Sequence, residues 1–322
     1  MTPAQKIAAL KARLRLPVVA APMFLVSGTD MVIAAARAGI LGAFPGPNGR
    51  SIADLRAWFE TIQAALGPQN LPFAFSMITH SSYGRFDEEL ALIEEFRPEI
   101  VITALGGPHR VTEVVHRYGG LVLADVNSPS YAKKALDKGA DGLVLVCTGA
   151  GGHTGSYAMA PFLDEVRGFF DGPVAVGGGI STGGGVLAVE TLGADLAYVG
   201  TRFLGAQESL IPQGYRDMVM ASRLEDLIAS RAITGALGNW MRASVEAAGF
   251  SPEDMKAEGK IDFSGDMHAG AKAWKTVWSA GQGVGQIRRI EPLDAIVRRM
   301  ERGYREALTR MAARAAALEE LA

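Results

Sequence analysis

Residues 173–202 read PVAVGGGISTGGGVLAVETLGADLAYVGTR, and the predicted fold rests on this stretch. A short apolar run, 173–176, leads into a glycine-rich turn and then into a helical pattern that ends near Gly193. A second apolar run, 196–199, follows at once. Buried parallel strands read as continuous apolar runs, and a helix usually connects one strand to the next. The stretch therefore predicts one strand–helix–strand unit of a parallel sheet.

The same unit recurs along the chain. Eight strands are predicted, at 17–21, 40–44, 72–77, 100–104, 121–125, 142–146, 173–176 and 196–199. Helical patterns lie between them, with examples at 30–38, 52–65, 87–96, 108–118, 129–138 and 184–192. Eight strand–helix pairs predict an α/β fold of the closed TIM-barrel, (β/α)8 type. A doubly wound open sheet is the alternative, because strand counting from one sequence is error-prone.

The alternation of strands and helices stops after Arg202. Segments 215–228, 239–248 and 252–258 predict helices, and 292–321 predicts a long amphipathic helix that packs on the barrel. We therefore expect a barrel core at 1–208 and an appended, mainly helical subdomain at 209–277, which forms either a lid or a subunit contact. A return segment and the C-terminal helix follow at 278–322.

Composition narrows the class of ligand. The chain holds 32 Lys and Arg against 34 Asp and Glu, a net charge of -2. Its overall charge therefore does not favour binding to nucleic acid or to an anionic membrane. One cysteine excludes an intrachain disulfide, and no histidine pair has the spacing of a zinc site. No signal-peptide pattern or long apolar stretch occurs, which favours a cytoplasmic protein. A small-molecule ligand is the expectation, and a homodimer stays open.

Glycine turns mark a candidate phosphate site. Catalytic groups of such barrels lie at the C-terminal ends of the strands, and phosphate commonly binds after strands seven and eight. Gly178 and Gly179 follow the seventh predicted strand, and Gly200 and Thr201 follow the eighth. Backbone amides without a neighbouring Cβ can approach phosphate oxygens closely. These four residues are the candidate cradle, and tight turns without a ligand are the alternative.

Polar and apolar candidates follow three other strands. His153 lies on the glycine-rich loop after the sixth strand, and its imidazole titrates near neutral pH, which suits general acid or base chemistry. A structural histidine is the alternative. Pro22 and Met23 after the first strand suit a flat ring, and Ser76 offers it a hydrogen bond. Cys147 is expected to be a small buried residue.

At these residues the sequence resembles the nitronate monooxygenase family, formerly called 2-nitropropane dioxygenases, which are FMN-dependent TIM barrels. Five motifs carry the resemblance: APM at 21–23, GGHTG at 151–155, GGGI at 177–180, GTRFL at 200–204 and WSAGQ at 278–282. Flavin-type enoyl-acyl-carrier-protein reductases and NADH:quinone reductases look similar at the same positions. The motifs therefore specify the superfamily better than the substrate.

The resemblance implies a cofactor, a set of binding residues and a reaction. FMN would be bound by Ala21, Pro22, Met23, Ser76, Asp125, Gly151, Gly152, Gly177, Gly178, Gly179, Gly200, Thr201, Ser279 and Gly281. His153 would act as base or hydrogen-bond donor. The reaction would be oxidation of alkyl nitronates, and of nitroalkanes if His153 removes a proton, by molecular oxygen to a carbonyl compound and nitrite. The alternative is an NAD(P)H-dependent reductase of an enoyl thioester, enone or quinone, and a third hypothesis is a binding barrel without turnover.

One position departs from the family pattern. Related enzymes commonly carry a Lys at the end of strand five, where its charge stabilises anionic reduced flavin, and Asp125 stands at that position here. A neighbouring negative charge disfavours an anion. Either a protonated His153 compensates, or this chain handles electrons differently.

Overall fold

The computed structural model describes residues 1–257 and 277–320. A closed barrel of parallel strands forms its centre. The strands are β1 (Val18–Ala20), β2 (Leu41–Pro45), β3 (Phe73–Ile78), β4 (Ile100–Ala104), β5 (Leu121–Val126), β6 (Gly142–Val146), β8 (Val174–Gly177) and β9 (Leu196–Val199). Pairing of Ala20 with Val199 joins the first strand to the last and closes the cylinder. The TIM barrel is confirmed, and the open sheet is wrong.

Helices surround the barrel. They are α1 (Pro3–Lys11), α2 (Thr29–Ala38), α3 (Ile52–Leu66), α4 (Phe86–Phe96), α5 (His109–Arg117), α6 (Pro129–Asp137), α7 (Met159–Arg167) and α8 (Gly183–Thr191). The sequence patterns did not predict α1 and α7. A capping box at Thr2 starts α1, whose Ile7 and Leu10 pack with the residues that fill the barrel. Helix α1 therefore covers the N-terminal end of the cylinder.

Side chains alternate between the two faces of each barrel strand. On β5, Leu121 and Leu123 belong to the cluster that fills the cylinder, whereas Val122 belongs to a cluster beneath the helices. This alternation is the two-residue period of a strand. Because Asp125 continues the inward row of β5, its carboxyl group faces the upper end of the barrel interior. The fold thus brings a polar group to the place where a ligand would lie.

The region after residue 208 contains strands as well as helices. It consists of α9 (Gln213–Ala221), β10 (Leu227–Ser230), β11 (Gly238–Met241) and α10 (Arg242–Ala247), and β11 also pairs with β7 (Gly152–His153). The helices predicted at 215–228 and 239–248 are therefore wrong in part, because residues 227–230 and 238–241 pair as antiparallel strands. At 252–258 the described residues show only one 3₁₀ turn, Asp254–Lys256.

The remainder of the predicted appended subdomain, residues 258–276, lies outside the described residues. The boundaries at 1–208, 209–277 and 278–322 stay a prediction. Within the described ranges, no helix is both long enough and apolar enough to cross a membrane.

The C-terminal helix α11 (Leu293–Glu319) packs on the barrel beside α8 and α2. A buried ion pair fastens its start, since Arg202 donates to Glu291 at 2.8 Å and Arg299 donates to the same carboxylate. Arg202 directly follows Thr201 after β9. The network therefore connects the predicted phosphate turn to the C-terminal helix.

Candidate active site

The glycine turns after β8 and β9 lie side by side. Gly177 pairs with Tyr198, so the residues that follow them leave the sheet at neighbouring positions. In the described part of the chain, the backbone amides of Gly178, Gly179, Gly200 and Thr201 donate to no protein acceptor. Gly178 is buried, Gly179 is exposed, and Gly200 and Thr201 are half-buried, so these amides lie where a ligand that accepts hydrogen bonds could reach them. Helix α8 begins a few residues later and adds the positive end of its dipole.

Space remains beside two of these turn residues. A Cβ built on Gly179 would meet its nearest neighbour at 3.7 Å, and one built on Gly200 would meet Met23 Sδ at 3.4 Å. Gly179 has φ +69°, a conformation that favours glycine whatever the space around it. Gly178 is different, because its Cβ would lie 2.8 Å from the carbonyl oxygen of Thr148. The turn after β8 is thus packed against the loop after β6 and open beside Gly179.

Three segments distant in sequence meet beside this cradle. The Gly281 amide donates to Thr201 Oγ1 at 2.8 Å, and the Gln282 amide donates to Gly149 O at 2.9 Å. A Cβ on Gly151 would lie 2.6 Å from the Gly281 nitrogen. The structure therefore brings Gly151, Thr201 and Gly281 together, as the ordered motifs require if they belong to one site.

Ser279 lies at the edge of this group. It forms a bridge with Trp240, and its carbonyl oxygen accepts a hydrogen bond from the Tyr215 hydroxyl. Tyr215 also stacks on Trp278 with ring centroids 5.0 Å apart. These contacts use the Ser279 backbone and place the return segment against the appended region.

Asn48 holds the loop that follows β1. Its side-chain amide donates to Met23 O at 3.0 Å and to Ser27 O at 2.8 Å, and its oxygen accepts from the Leu25 amide at 2.8 Å. Leu25 has φ +60°, which costs energy in a residue with a side chain. Asn48 offsets that cost and fixes Pro22 and Met23 at the barrel mouth. The sequence analysis missed Asn48, whose only signal was the turn sequence 45–49.

Polar side chains form the upper layer of the barrel interior. Ser76 and Asp125 continue the inward rows of β3 and β5, and Tyr198 packs on the apolar cluster inside the cylinder. None of the three makes a side-chain hydrogen bond within the described ranges. Burial raises the pKa of Asp125 to about 7. Burial, and then the charge of Asp125, raises the pKa of Tyr198 well above its usual value.

His153 is held by the appended strands. As part of β7 it pairs with Gly238 of β11, and its Nε2 lies 3.1 Å from Thr234 Oγ1. The Thr234 hydroxyl also donates to Ala236 O. His153 is exposed, and partial desolvation of its ring lowers its pKa. The lowered pKa favours the neutral imidazole and so disfavours a protonated His153 as counter-charge.

Two further hydrogen bonds connect the loop after β6 to β11 and the residue before it. Asn239 Nδ2 donates to Ala150 O at 2.7 Å, and the Thr154 amide donates to Leu237 O at 2.9 Å. Asn239 and Thr234 were not predicted as site residues, because the strand that carries Asn239 was interpreted as a helix.

Cys147 is fully buried, and burial raises its pKa to about 12, which agrees with a packing role.

These residues fit a flavin mononucleotide. Its phosphate needs donors, and the turns after β8 and β9 supply unpaired amides. Its ring needs an apolar face and hydrogen-bond partners, which Met23 and the polar layer of Ser76, Asp125 and Tyr198 can supply.

Known proteins resemble this chain over most of its length. The nitronate monooxygenase family profile matches residues 51–302. Nitronate monooxygenase npaC of Metarhizium robertsii is 29% identical over 92% of this chain and 93% of its own. A (3aS,4S,5R,7aS)-5-hydroxy-7a-methyl-1-oxo-octahydro-1H-indene-4-carboxyl-CoA dehydrogenase of Rhodococcus jostii is 28% identical over 68% of this chain and 60% of its own length.

Solved structures show the same architecture. A nitroalkane oxidase from Streptomyces ansochromogenes has a TM-score of 0.76 and 25% identity, with 94% of this chain and 99% of that chain covered. FabK from Thermotoga maritima has a TM-score of 0.78 at 21% identity, covering 96% of this chain and 98% of that chain, and supports the fold alone. The chain belongs to the nitronate monooxygenase family of flavin-dependent oxidoreductases.

Proposed function

We propose that this protein binds FMN at the C-terminal mouth of the barrel and uses it to oxidise an alkyl nitronate with molecular oxygen to a carbonyl compound and nitrite. The observation that carries the proposal is the position of His153. Strand β11 holds its loop, and the neighbouring residue Gly151 packs against Thr201 and Gly281, beside the turns with unpaired amides. A neutral base thus shares the mouth with an anion cradle.

The cofactor would be held by residues of several loops. Gly178, Gly179, Gly200 and Thr201 would bind the phosphate, and Pro22 and Met23 would face the ring. FMN supplies an electron acceptor that the substrate can reduce and that molecular oxygen can reoxidise.

The neutral imidazole suits both forms of the substrate. With a preformed nitronate, His153 need only stay within hydrogen-bond reach of the nitro oxygens. With a neutral nitroalkane, the unprotonated ring nitrogen of the imidazole can accept the α-proton. A lowered pKa favours this unprotonated form.

The test is reduction of the bound flavin without oxygen. The purified yellow protein is mixed anaerobically with ethyl nitronate or, separately, with NADH or NADPH, and the flavin absorbance is followed. Bleaching by the nitronate, with nitrite formed once oxygen is admitted, is the expected result. A preparation that takes up no FMN, or a flavin that the nitronate leaves oxidised, would contradict the proposal.

The second candidate function is an FMN-dependent NAD(P)H oxidoreductase that acts on an enoyl thioester, enone or quinone. The Rhodococcus relative favours it, because its name describes dehydrogenation of a coenzyme A thioester. Rapid bleaching by NADH or NADPH in the same experiment, without bleaching by the nitronate, selects this second function.

A further inference from the structure

Asp125 is a half-buried residue whose carboxyl group has no counter-ion within residues 1–257 and 277–320. It continues the inward row of Leu121 and Leu123, and it lies opposite Val144 of β6. No ion pair or hydrogen bond within the described ranges involves its carboxyl group. A buried carboxyl group without a partner is costly, so its presence at a ligand-binding mouth calls for a functional explanation.

The surroundings of Asp125 favour its acid form. The neighbouring strand β4 contributes the inward residue Ile102, and β6 contributes Val144, neither of which is charged. Tyr198 of β9 is the titratable group whose pKa responds to the charge of Asp125. Burial raises the pKa of Asp125 to about 7, so the acid form persists to a higher pH than in an ordinary aspartate.

We propose that Asp125 binds the flavin as a protonated carboxylic acid and donates its hydrogen bond to an acceptor atom of the isoalloxazine ring. A carboxylic acid offers one donor, whereas a carboxylate only accepts. The ring carries carbonyl oxygens and nitrogen lone pairs that can accept such a hydrogen bond.

Ionisation of Asp125 then competes with cofactor binding. When the proton leaves, the donor is lost and a negative charge faces the acceptor atoms of the ring. The affinity for FMN should therefore fall as the pH rises through the pKa of Asp125. The hydroxyls of Ser76 and Tyr198 do not titrate in this range and can still donate above it.

The experiment measures the dissociation constant of FMN for the full chain at pH 6.5 and pH 8.5, by quenching of flavin fluorescence. Wild type is compared with Asp125→Asn, which keeps a neutral donor of the same shape, and with Asp137→Asn as control. Asp137 is exposed at the end of α6. The FMN phosphate and His153 titrate identically in all three proteins, so their contributions cancel in the comparison.

We expect the wild-type dissociation constant to rise about tenfold more than that of Asp125→Asn, because a pKa near 7 leaves few protonated molecules at pH 8.5. Asp137→Asn should behave like wild type. Equal pH dependence in wild type and Asp125→Asn would overturn the inference.

A second measurement needs only the wild-type holoprotein. Its flavin absorption band should shift in a titration between pH 6 and pH 9, and a band that does not move over this range would overturn the inference even if Asp125→Asn fails to fold. The inference rests on FMN as the proposed cofactor. Absence of FMN binding by every protein at both pH values would contradict the proposed function, whereas FMN binding without the pH effect contradicts the role of Asp125 alone.

Discussion

Glu89 is a second carboxyl group inside the protein whose pKa is far from its usual value. It is fully buried on α4, where it accepts a hydrogen bond from the Tyr83 hydroxyl at 2.6 Å and pairs with Arg85 at 3.2 Å. Among the residues that the structure describes, its Oε2 has no hydrogen-bond partner. A Cβ on Gly46 would lie 2.4 Å from that oxygen, so the carboxyl group is enclosed by backbone. Burial outweighs the two partners and raises its pKa to about 7.

This shift predicts a pH dependence of stability. Between pH 4.5 and pH 7 the folded protein keeps the Glu89 proton while the unfolded chain releases it, so the free energy of unfolding falls as the pH rises through this window. Replacement by Gln removes the titration. Urea unfolding of the apoprotein at pH 4.5 and pH 7.5 should show wild type losing about 3 kcal/mol more stability than Glu89→Gln.

The neighbouring residue offers a matched control for this measurement. Glu88 is exposed on the same helix, so Glu88→Gln should follow the wild-type pH dependence closely. If the unfolding free energies of wild type and Glu89→Gln differ by a constant amount at both pH values, Glu89 is not the titrating group.

The proposed role of His153 as a base predicts how activity depends on the substrate. His153→Asn keeps a hydrogen-bond donor and removes the base, so kcat/KM for a neutral nitroalkane should fall by about 100-fold or more. Turnover of the preformed nitronate should fall much less, because no proton has to be removed. Steady-state nitrite release with both substrates measures the ratio, and His116→Asn on α5 serves as control. An unchanged rate with the nitroalkane would exclude the base role.

At the scale of elements, the glycines at the start of α8 show that the members of one glycine run can have different roles. A Cβ on Gly183 would lie 1.8 Å from the carbonyl oxygen of Met300, so this glycine allows α8 to contact α11 backbone to backbone. The next residue, Gly184, would meet only Ala307 Cβ at 3.9 Å. The run 177–185 therefore divides into a part that faces the ligand site and a part that packs against a helix.

Gly183 and Gly184 provide a matched pair of positions for substitution by Ala. Gly183→Ala should lower the free energy of unfolding by about 3 kcal/mol, because a rigid backbone carbonyl blocks the added methyl group. Gly184→Ala should be neutral or stabilising by up to about 1 kcal/mol, since Ala favours helix over Gly. Urea denaturation measures both, and equal stabilities of the two variants would contradict the packing of α8 on α11.

At the scale of the whole molecule, the described part of the appended region acts on the barrel through strand β11. This strand pairs with β7 in the loop that carries His153, and Trp240 anchors it with a fully buried indole ring. The same strand contacts the return segment at Ser279. The region thus positions the loop after β6, a role that the prediction of a lid or a subunit contact did not include.

Removal of one hydrogen bond between β11 and the loop after β6 tests whether β11 positions that loop. Asn239→Ala leaves the carbonyl oxygen of Ala150 without its donor, at a cost of about 1–3 kcal/mol in unfolding free energy. Hydrogen exchange at the amides of residues 151–154 should become at least about tenfold faster, while the exposed change Gln69→Ala leaves it unaltered. Exchange that stays at the wild-type rate would show that β11 does not hold the loop.

Local patterns predicted the barrel well. Each of the eight predicted strands coincides with a barrel strand to within about two residues, because burial on both faces requires an apolar run that a single sequence shows directly. The helix ends at Gly39, Gly139 and Gly193 were equally visible, since φ near +90° at each position favours glycine. The neighbouring turns at Gly178 and Gly200 followed from strand order alone.

The residues that surround the candidate site could not be predicted from local sequence patterns. Asn48, Thr234 and Asn239 act through hydrogen bonds to residues up to 89 positions away, and such partners leave no periodic signal in the sequence. Strand β11 was interpreted as a helix because its apolar residues are few and its stability comes from two neighbouring strands. The pKa values of Glu89 and Asp125 depend on burial, which exists only once the barrel has closed.

The order of apolar runs and glycine turns was thus enough to specify an eight-stranded cylinder and the end at which a ligand would bind, because both follow from chemistry between near neighbours in the chain. The contact of His153 with Thr234, the positions of the amides after β8 and β9, and the apolar surroundings of Asp125 came from folding alone. Each depends on atoms that are distant in sequence and approach only when the strands close and β11 joins the loop after β6.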